Sequence, residues 1–449
     1  MRILFIIATI LLFNLTATQA QQGLTGPKRA EINQLLDSLW KNPTSFFNKT
    51  DTNWRMLCTD LKHIDLGKLN DIKDSIFFSN NSRISNKSTA YTGFVGFLNK
   101  SSQNNKSRIF SEKMDNGFIS KKTHPENKIV LVEGDSWFEY PLFLHDVTDN
   151  LVDQSNLAVY SLAAGGDWVA NMIAGSEYQK EYLKLKPDIF ILSGGGNDIV
   201  GDNGITHFVT NQPISMNSSF LNDYKEYVIL RMNGQPVPLC NAGFCPIEYH
   251  LFQDSMPEYV SNVDTAMVHE IVNGRRYLTK NFYRWLVTFK LEYKLLFESI
   301  HKLDSVHFKS LKIITQGYDY AIPNDEKKFG IRLFTGNGQW LKDPLEKAGI
   351  TDAYTQQSIV MALMFDFNEM LIELGKEYKN IYHVDVRGFT HYLEMHDGKT
   401  TGAYWFDELH PVNYVFKKIA GVYIAIINNK LPQNQKVYSV TKFYQSQDD

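Results

Sequence analysis

The chain has few cysteines, no excess of positive charge and no long apolar run beyond its first residues. Its 46 basic and 49 acidic residues give a formal net charge of -3, which leaves no broad basic surface of the kind that binds nucleic acid. No later segment reaches the roughly 20 uninterrupted apolar residues that span a bilayer. We therefore expect neither a nucleic-acid partner nor stable membrane insertion.

The three cysteines are Cys58, Cys240 and Cys245, an odd number. Cys240 and Cys245 flank the turn-forming Asn-Ala-Gly-Phe, so a local disulfide between them is one hypothesis and two free thiols are the alternative. No histidine pair stands at ligand spacing beside them, which argues against a zinc site. Asp198 and Asp202 lack the spacing and the terminal glutamate of a calcium loop. The sequence thus predicts no metal and no cofactor.

The first 20 residues have the pattern of a secretory signal peptide. Arg2 is followed by the apolar stretch Ile3–Leu15 and by the small residues Thr18 and Ala20 at the positions that precede a cleavage site. The apolar stretch is too short to cross a bilayer comfortably, although a retained amphipathic anchor is the alternative. We expect cleavage near Ala20 and a secreted or periplasmic protein.

We predict three parts in the rest of the chain. Residues 21–126 begin with the helical spacing of Ile32 to Trp40, and from about residue 80 they become rich in Asn, Ser and Lys, which is typical of a linker or loosely ordered arm. Residues 127–430 are predicted to be one domain with an insertion at about 202–310. Residues 431–449 are predicted to be a C-terminal tail.

Strand-like and helical patterns alternate over the predicted domain. Such alternation favours a mainly parallel sheet covered by helices on both faces. In the insertion, apolar residues at spacings of three and four from Leu278 to Leu303 predict a long amphipathic helix that either caps the site or packs against the sheet. The predicted strands are 128–133, 157–163, 188–193, 311–316 and 381–386, and the predicted helices include 167–185, 355–378 and 413–427.

Two short motifs far apart in the chain carry groups suited to nucleophilic chemistry. The apolar run Ile129–Val132 leads into Gly134-Asp135-Ser136, which would place a hydroxyl at the carboxyl edge of a sheet, where open α/β sheets bind ligands. Asp407 and His410 are three residues apart, so one helical turn would put carboxylate and imidazole on the same face. A carboxylate that orients an imidazole is what a serine nucleophile requires.

Two glycine-rich turns follow the next two predicted strands. They are Ala164-Gly165-Gly166-Asp167 and Gly194-Gly195-Gly196-Asn197-Asp198. Glycine lets a backbone N–H approach a ligand oxygen closely, and asparagine supplies a neutral NH2 donor; both are parts of an oxyanion hole. Singly, each motif is equally typical of a turn or a helix cap, but four of them in this order and context favour catalysis.

The order Gly-Asp-Ser, Gly, Gly-x-Asn-Asp and Asp-x-x-His resembles the four sequence blocks of the SGNH (GDSL-type) serine hydrolases. The resemblance covers about residues 127–430. It implies a three-layer α/β/α, flavodoxin-like fold with a mainly parallel five-stranded sheet and a large, mostly helical insertion. It also implies that Ser136 is the nucleophile, His410 the general base and Asp407 the acid that orients the base.

The same resemblance implies an oxyanion hole made of the backbone N–H groups of Ser136 and Gly166 and the side-chain amide of Asn197. Two positions depart from the family pattern. Trp137 stands where the family name has leucine, which affects packing or the pocket wall more than the chemistry. Gly165 and Gly166 are adjacent, so the backbone donor could shift by one residue.

Aromatic residues beside these motifs are candidates for contact with a substrate. Tyr318 and Tyr320 follow the fourth predicted strand and could stack on a sugar or an acyl group. Trp137 is the third candidate. The alternative is that these rings form a buried aromatic turn.

Together these patterns predict an exported serine hydrolase that cleaves carboxylic esters through an acyl-enzyme. Lipid acyl esters and carbohydrate O-acetyl esters are both candidate substrates. One alternative is an O-acyltransferase that uses the same serine, and another is a glycan-binding module that has lost catalysis.

Overall fold

A six-stranded parallel sheet forms the centre of the fold. Its strands lie in the order β2-β1-β3-β4-β5-β6, and every neighbouring pair is parallel. The first five have the flavodoxin-like order, which confirms the predicted α/β fold. The strands are β1 (Lys128–Gly134), β2 (Leu157–Ser161), β3 (Ile189–Ser193), β4 (Lys312–Gln316), β5 (Ile381–Asp385) and β6 (Val437–Ser439).

The computed structural model describes residues 93–118, 124–140, 144–216, 218–232, 264–324, 340–432 and 434–448. The predicted signal peptide, the helix predicted near Ile32 and all three cysteines lie outside these ranges, so the Cys240–Cys245 disulfide stays a hypothesis. Within the ranges, no helix is both long enough and apolar enough to cross a membrane.

Helices cover the sheet in two layers. They are α1 (Gly93–Asp115), α2 (Val147–Val152), α3 (Val169–Gly175), α4 (Glu177–Leu185), α5 (Gly196–Val200), α6 (Ser218–Met232), α7 (Thr265–Arg275), α8 (Lys280–Leu303), α9 (Ser305–Ser310), α10 (Lys342–Lys347), α11 (Ala353–Lys376), α12 (Phe389–Asp397), α13 (Asn413–Ile427) and α14 (Val440–Asp448). One layer contains α2 and α13, which contact each other, and the other contains α3, α4, α8 and α11.

Local sequence explains the main elements. The five residues of β3, Ile-Phe-Ile-Leu-Ser, are all buried, as expected for a parallel strand covered on both faces. Asp352 begins α11 by accepting a hydrogen bond from the Thr355 N–H at 2.8 Å, and the helix then buries Leu363 and Phe367. These patterns are strong enough that the predicted helix 355–378 nearly coincides with α11.

Two elements differ from the prediction. Residues 431–449 are not a simple tail, because they contain β6 and α14, and β6 pairs with β5 through Val437 and His383. The sheet therefore has six strands rather than five, since a three-residue strand is too short to show a period. The helix predicted at 167–185 is broken at Ser176, whose φ of 55° is left-handed and separates α3 from α4.

Helix α1 occupies part of the region that was predicted to be a loosely ordered arm. Its buried Lys106 Nζ lies 2.6 Å from a carboxylate oxygen of Glu139, which follows β1, and 3.1 Å from one of Asp149, which lies on α2. The helix also contacts β2. Polar contacts dock this helix together with a small apolar cluster in which Phe110 packs against Ile129 and Ala158, and so few apolar residues leave its Asn- and Ser-rich sequence looking like a linker.

The long helix predicted in the insertion is α8, and it packs against the sheet layer. Trp285, Phe289 and Tyr293 on α8 are wholly buried. The Tyr293 hydroxyl donates to the Gly194 carbonyl at 2.9 Å, and a Cβ on Gly195 would lie 2.5 Å from the Phe289 ring. The helix therefore supports the glycine-rich turn after β3. This agrees with the alternative in which the helix packs against the sheet and not with the one in which it caps the site.

Candidate active site

Ser136 lies in the turn that follows β1. The Asp135 carboxylate accepts a hydrogen bond from the Trp137 N–H at 3.1 Å, which fixes the shape of this turn. Gly134 approaches β3 so closely that a Cβ there would lie 2.9 Å from the Ser193 carbonyl oxygen. A side chain at Gly134 would push the turn away from the sheet, so glycine lets Ser136 sit at its carboxyl edge.

Asp407 and His410 lie in a tight turn before α13 rather than in a helix. The Asp407 carboxylate accepts 2.8 Å hydrogen bonds from the N–H groups of Leu409 and His410. The Nδ1 atom of His410 lies 2.8 Å from the same carboxylate. The spacing of three residues therefore brings the two side chains together through a side-chain-capped turn, not through the predicted helical turn.

The environment of Asp407 keeps its carboxylate charged. Burial opposes ionisation, but the adjacent His410 ring and the N–H donors outweigh it and hold the pKa of Asp407 below its ordinary value. A charged Asp407 can hold His410 with its proton on Nδ1, which leaves Nε2 as the basic nitrogen.

The imidazole of His410 meets the hydroxyl of Ser136. The distance from His410 Nε2 to Ser136 Oγ is 2.6 Å, although the two residues are 274 positions apart. His410 is buried and Ser136 is partly exposed, so the hydroxyl faces the side from which a ligand can approach. A linked carboxylate, imidazole and hydroxyl can transfer the hydroxyl proton and create an oxygen nucleophile.

Tyr140 contacts the hydrogen-bonded array of Asp407, His410 and Ser136, and no sequence pattern pointed to this tyrosine. Its ring packs edge-on against His410 with a centroid distance of 4.5 Å, and its hydroxyl donates to Asp407 Oδ2 at 3.3 Å. Burial, together with the Asp407 charge, raises the pKa of Tyr140, so the phenol stays a neutral donor. Tyr140 therefore helps to fix both the acid and the imidazole.

Glu408 is a second residue that sequence patterns missed. Its buried carboxylate accepts hydrogen bonds from the backbone N–H groups of Asn324, Trp340, Leu341 and Lys342. Burial raises the pKa of Glu408 even though these N–H groups oppose the rise. These hydrogen bonds join the turn that carries Glu408 to the backbone at Asn324 and at Trp340–Lys342. The Trp340 ring centroid lies 6.0 Å from that of His410.

The three predicted oxyanion donors follow the neighbouring strands β1, β2 and β3, with Ser136 and Gly166 in turns and Asn197 in the first turn of α5. Gly166 has a φ of 86°, a left-handed conformation that favours glycine. The Asn197 side-chain amide donates to the Asp167 carbonyl at 3.0 Å and so ties α5 to the loop after β2. Because a primary amide has two N–H groups, this bond orients Asn197 and leaves it a second donor. The fold thus brings Ser136, Gly166 and Asn197 to one edge of the sheet.

The three aromatic candidates for substrate contact differ in position. Trp137 is 2% exposed, donates from Nε1 to the Leu409 carbonyl at 2.9 Å and packs edge-on against Tyr318. Tyr318 is also buried, and its hydroxyl donates to the Asp135 carboxylate. For Trp137 and Tyr318 the structure therefore favours the alternative of buried packing behind Ser136. Tyr320 differs from both, because it lines a cavity.

This cavity has a volume of about 430 Å³ and lies beside Asp407. Besides Asp407 and Tyr320, its lining includes Trp405 and, from α7 of the insertion, Met267 and Glu270. A cavity of this size falls in the range of small-molecule binding sites. Part of the insertion therefore contributes to a pocket next to the array, although α8 does not.

No cluster of three or more His, Cys, Asp or Glu side chains suited to a metal ion occurs among the residues that the structure describes. The three cysteines are not among those residues.

Comparison with known proteins gives only weak similarity of fold. No protein-family model matches the chain, and no curated protein matches it. Among solved structures, a catalytic mutant of Axe2, an acetylxylan esterase from Geobacillus stearothermophilus, is 12% identical with a TM-score of 0.30. The match covers 68% of this chain and 95% of that chain. Similarity at this level does not extend to substrates or to the roles of residues.

Proposed function

We propose that this protein is a serine hydrolase that cleaves carboxylic esters through an acyl-enzyme formed on Ser136. The observation that carries the proposal is the continuous hydrogen-bonded series from Asp407 through His410 to Ser136, with 2.8 Å and 2.6 Å between the bonded atoms. A carboxylate that is hydrogen-bonded to an imidazole, which is in turn hydrogen-bonded to a serine hydroxyl, activates that serine on several unrelated folds.

In the proposed reaction, Ser136 Oγ attacks the ester carbonyl carbon while His410 Nε2 takes the hydroxyl proton. The negative charge of Asp407 stabilises the imidazolium that results. The tetrahedral intermediate collapses when its C–O bond to the alcohol breaks and His410 returns the proton to the departing oxygen. Water then attacks the acyl-serine with His410 again as the base, which releases the acid and restores Ser136.

The oxyanion of each tetrahedral intermediate needs hydrogen-bond donors. We assign this role to the backbone N–H groups of Ser136 and Gly166 and to the side-chain amide of Asn197, because all three follow the carboxyl ends of neighbouring strands. Preorganised donors of this kind stabilise the transition state more than the ground state. The signal-like residues 1–20 support the further proposal that the enzyme acts outside the cytoplasm.

The first test replaces the nucleophile. With ethyl acetate and the purified chain, we expect Ser136→Ala to lower kcat by about four orders of magnitude or more without a change in the circular dichroism spectrum. We expect Asn197→Ala to lower kcat about 100-fold with little change in KM, since it removes one oxyanion donor. The matched control is Ser155→Ala at an exposed position before β2, which should keep wild-type turnover. Equal turnover by Ser136→Ala and wild type would refute the assignment.

Labelling with an alkyl fluorophosphonate separates an enzyme from an inactive glycan-binding module. Only an activated serine reacts with this reagent, so mass spectrometry should find one adduct, on the peptide that contains Ser136. We expect the adduct to be absent from Ser136→Ala and present in Ser155→Ala. Wild-type protein that forms no adduct would instead favour the binding module.

A further inference from the structure

The cavity beside Asp407 has walls from distant parts of the chain. Helix α7 contributes Ala266, Met267 and Glu270, the segment after β4 contributes Tyr320, and the turn before α13 contributes Trp405. Asp407, which also lines the cavity, is bonded to His410 and through it to Ser136. Neither Ser136 nor His410 is among the lining residues. A molecule in this cavity would therefore lie next to the reacting groups and not on them.

Two acidic residues of the lining are already satisfied by the protein. Asp264 accepts hydrogen bonds from the N–H groups of Ala266 at 2.9 Å and Met267 at 3.2 Å, and its other oxygen lies 2.7 Å from His391 Nε2. Asp319 accepts from the N–H groups of Tyr320, Gly388 and Thr390 and from the Thr390 hydroxyl. These carboxylates shape the walls and do not present uncompensated charge to a ligand.

Glu270 presents a different kind of group. The residue is partly buried, and its side-chain carboxyl accepts no hydrogen bond from any residue that the structure describes. Burial, reinforced by the negative charge of Asp264, raises the pKa of Glu270. The Gln357 amide also lines the cavity and, among the described residues, its one hydrogen bond is a long 3.4 Å contact to the Ala321 carbonyl. The cavity thus combines a carboxyl group and an amide with the apolar surfaces of Met267 and Trp405.

We propose that this cavity binds the alcohol part of the ester substrate, and that this part is a neutral, hydroxyl-rich ring such as a pyranose. The inference rests on the proposed function, because it places the substrate of that same site. A ring of this kind has hydroxyls for the carboxyl and amide groups and C–H faces for the aromatic and methionine surfaces.

The chemistry of the lining disfavours the other candidates. An acyl chain would cover the Glu270 carboxyl with hydrocarbon and leave its hydrogen bonds unmade. An anionic group would meet four carboxyl residues, and the described lining has no Lys or Arg to offset them. A cation would need uncompensated negative charge, whereas Asp264, Asp319 and Asp407 are each hydrogen-bonded within the protein.

The experiment fills the cavity at its exposed edge. In Ala266→Trp an indole occupies the mouth, and in the matched control Thr265→Trp the same group stands on the neighbouring exposed residue, which does not line the cavity. We expect Ala266→Trp to lower kcat/KM for a mono-O-acetylated methyl glucopyranoside about ten-fold or more and to change kcat/KM for ethyl acetate less than about two-fold. Thr265→Trp should change neither.

Each contrary outcome identifies what has failed. If Ala266→Trp lowered kcat/KM only for ethyl octanoate, the cavity would be an acyl pocket. If Glu270→Gln lowered kcat/KM only for acetylcholine, the cavity would be a cation site. Either result overturns the proposal. An unchanged sugar ester in Ala266→Trp also overturns it. If ethyl acetate turnover does not depend on Ser136, the proposed function fails separately. Ligand-observed NMR should detect binding of methyl glucopyranoside to Ser136→Ala but not to the Ser136→Ala, Ala266→Trp double variant. Binding that persists in the double variant would overturn this inference and leave the proposed function untouched.

Discussion

Among single residues, Asp135 has the clearest link to pH, and it directly precedes the proposed nucleophile. It is fully buried and receives hydrogen bonds from the Tyr318 hydroxyl and the Trp137 N–H. Burial has the largest effect and raises the pKa of Asp135 to about 6, although these donors oppose the rise. The folded protein therefore holds a proton on Asp135 at a pH where the unfolded chain has released it.

This raised pKa predicts the direction of a stability change. A carboxyl group with a higher pKa in the folded state stabilises the protein below its unfolded pKa, and this contribution is lost as pH rises through about 6. Asp135→Asn keeps an acceptor for Trp137 and can donate to the Tyr318 hydroxyl. We expect Asp135→Asn to exceed the wild-type unfolding free energy by about 3 kcal/mol at pH 8 and to lose this advantage toward pH 4, measured by urea titration. Exposed Asp115→Asn should show no such trend; a difference independent of pH would contradict the raised pKa.

Sequence patterns were informative at the residue scale only where chemistry demands a fixed local spacing. Ser136 and the pair Asp407 and His410 stand in short motifs, so their meeting could be predicted. Tyr140 and Glu408 could not be found in this way, because each acts through a contact with a distant segment. A lone tyrosine or glutamate has the same local sequence whether it is exposed or buried against an active site.

At the scale of secondary-structure elements, α1 connects the N-terminal region to the predicted oxyanion loop. The Asn99 amide donates to the Gly165 carbonyl at 3.0 Å and accepts from the Gly165 N–H at 3.1 Å. One turn further on, Gln103 donates to the carbonyls of Leu162 and Ala163 at 3.0 Å and 2.8 Å. The helix therefore holds the whole loop that leads to Gly166.

We expect Asn99→Ala to disturb both stability and catalysis. Loss of two buried hydrogen bonds should lower the unfolding free energy by about 2 kcal/mol, and displacement of the loop should lower kcat about ten-fold with KM nearly unchanged. Urea titration and steady-state kinetics with ethyl acetate measure the two effects. The control Asn104→Ala lies on the exposed face of α1 and should change neither. Loss of stability with an unchanged kcat would show that α1 does not position the oxyanion donors.

The elements that sequence predicted best are those whose burial imposes a period. The strands β1 to β5 and the helices α11 and α13 lie close to their predicted ranges. Their apolar residues pack into the core and therefore recur at regular spacings in the sequence. Helix α1 escaped prediction because it is docked by polar side chains and by a few apolar ones, such as Phe110, that do not form a regular stripe. The break at Ser176 also escaped, since a single left-handed residue leaves the apolar pattern on either side intact.

On the scale of the whole molecule, parallel topology explains why the site could be anticipated from scattered motifs. The carboxyl ends of β1, β2 and β3 share one edge of the sheet, so the motifs that follow these strands had to meet. The same reasoning could not predict the cavity, because its wall includes α7. The position of α7 depends on how the insertion returns across the sheet, and this is not encoded in any local period.

The C-terminal residues pack against the rest of the domain, and their removal gives a final prediction. Tyr438 on β6 and Val440 on α14 are buried, and Tyr444 stacks on Phe389 with a centroid distance of 5.6 Å. Ending the chain after Leu431 should therefore lower the unfolding free energy by about 3 kcal/mol or more, as measured by urea titration.

The shortened chain should keep Ser136-dependent turnover of ethyl acetate wherever it is folded, because β3, β4 and β5 separate β6 from β1 in the sheet. A control chain that ends after Tyr444 keeps these buried side chains and should match the full chain in stability. An unfolding free energy unchanged by the longer truncation would mean that residues 432–449 add nothing to stability. Because β6 pairs with β5 and α14 packs against α12 and α13, we expect the opposite.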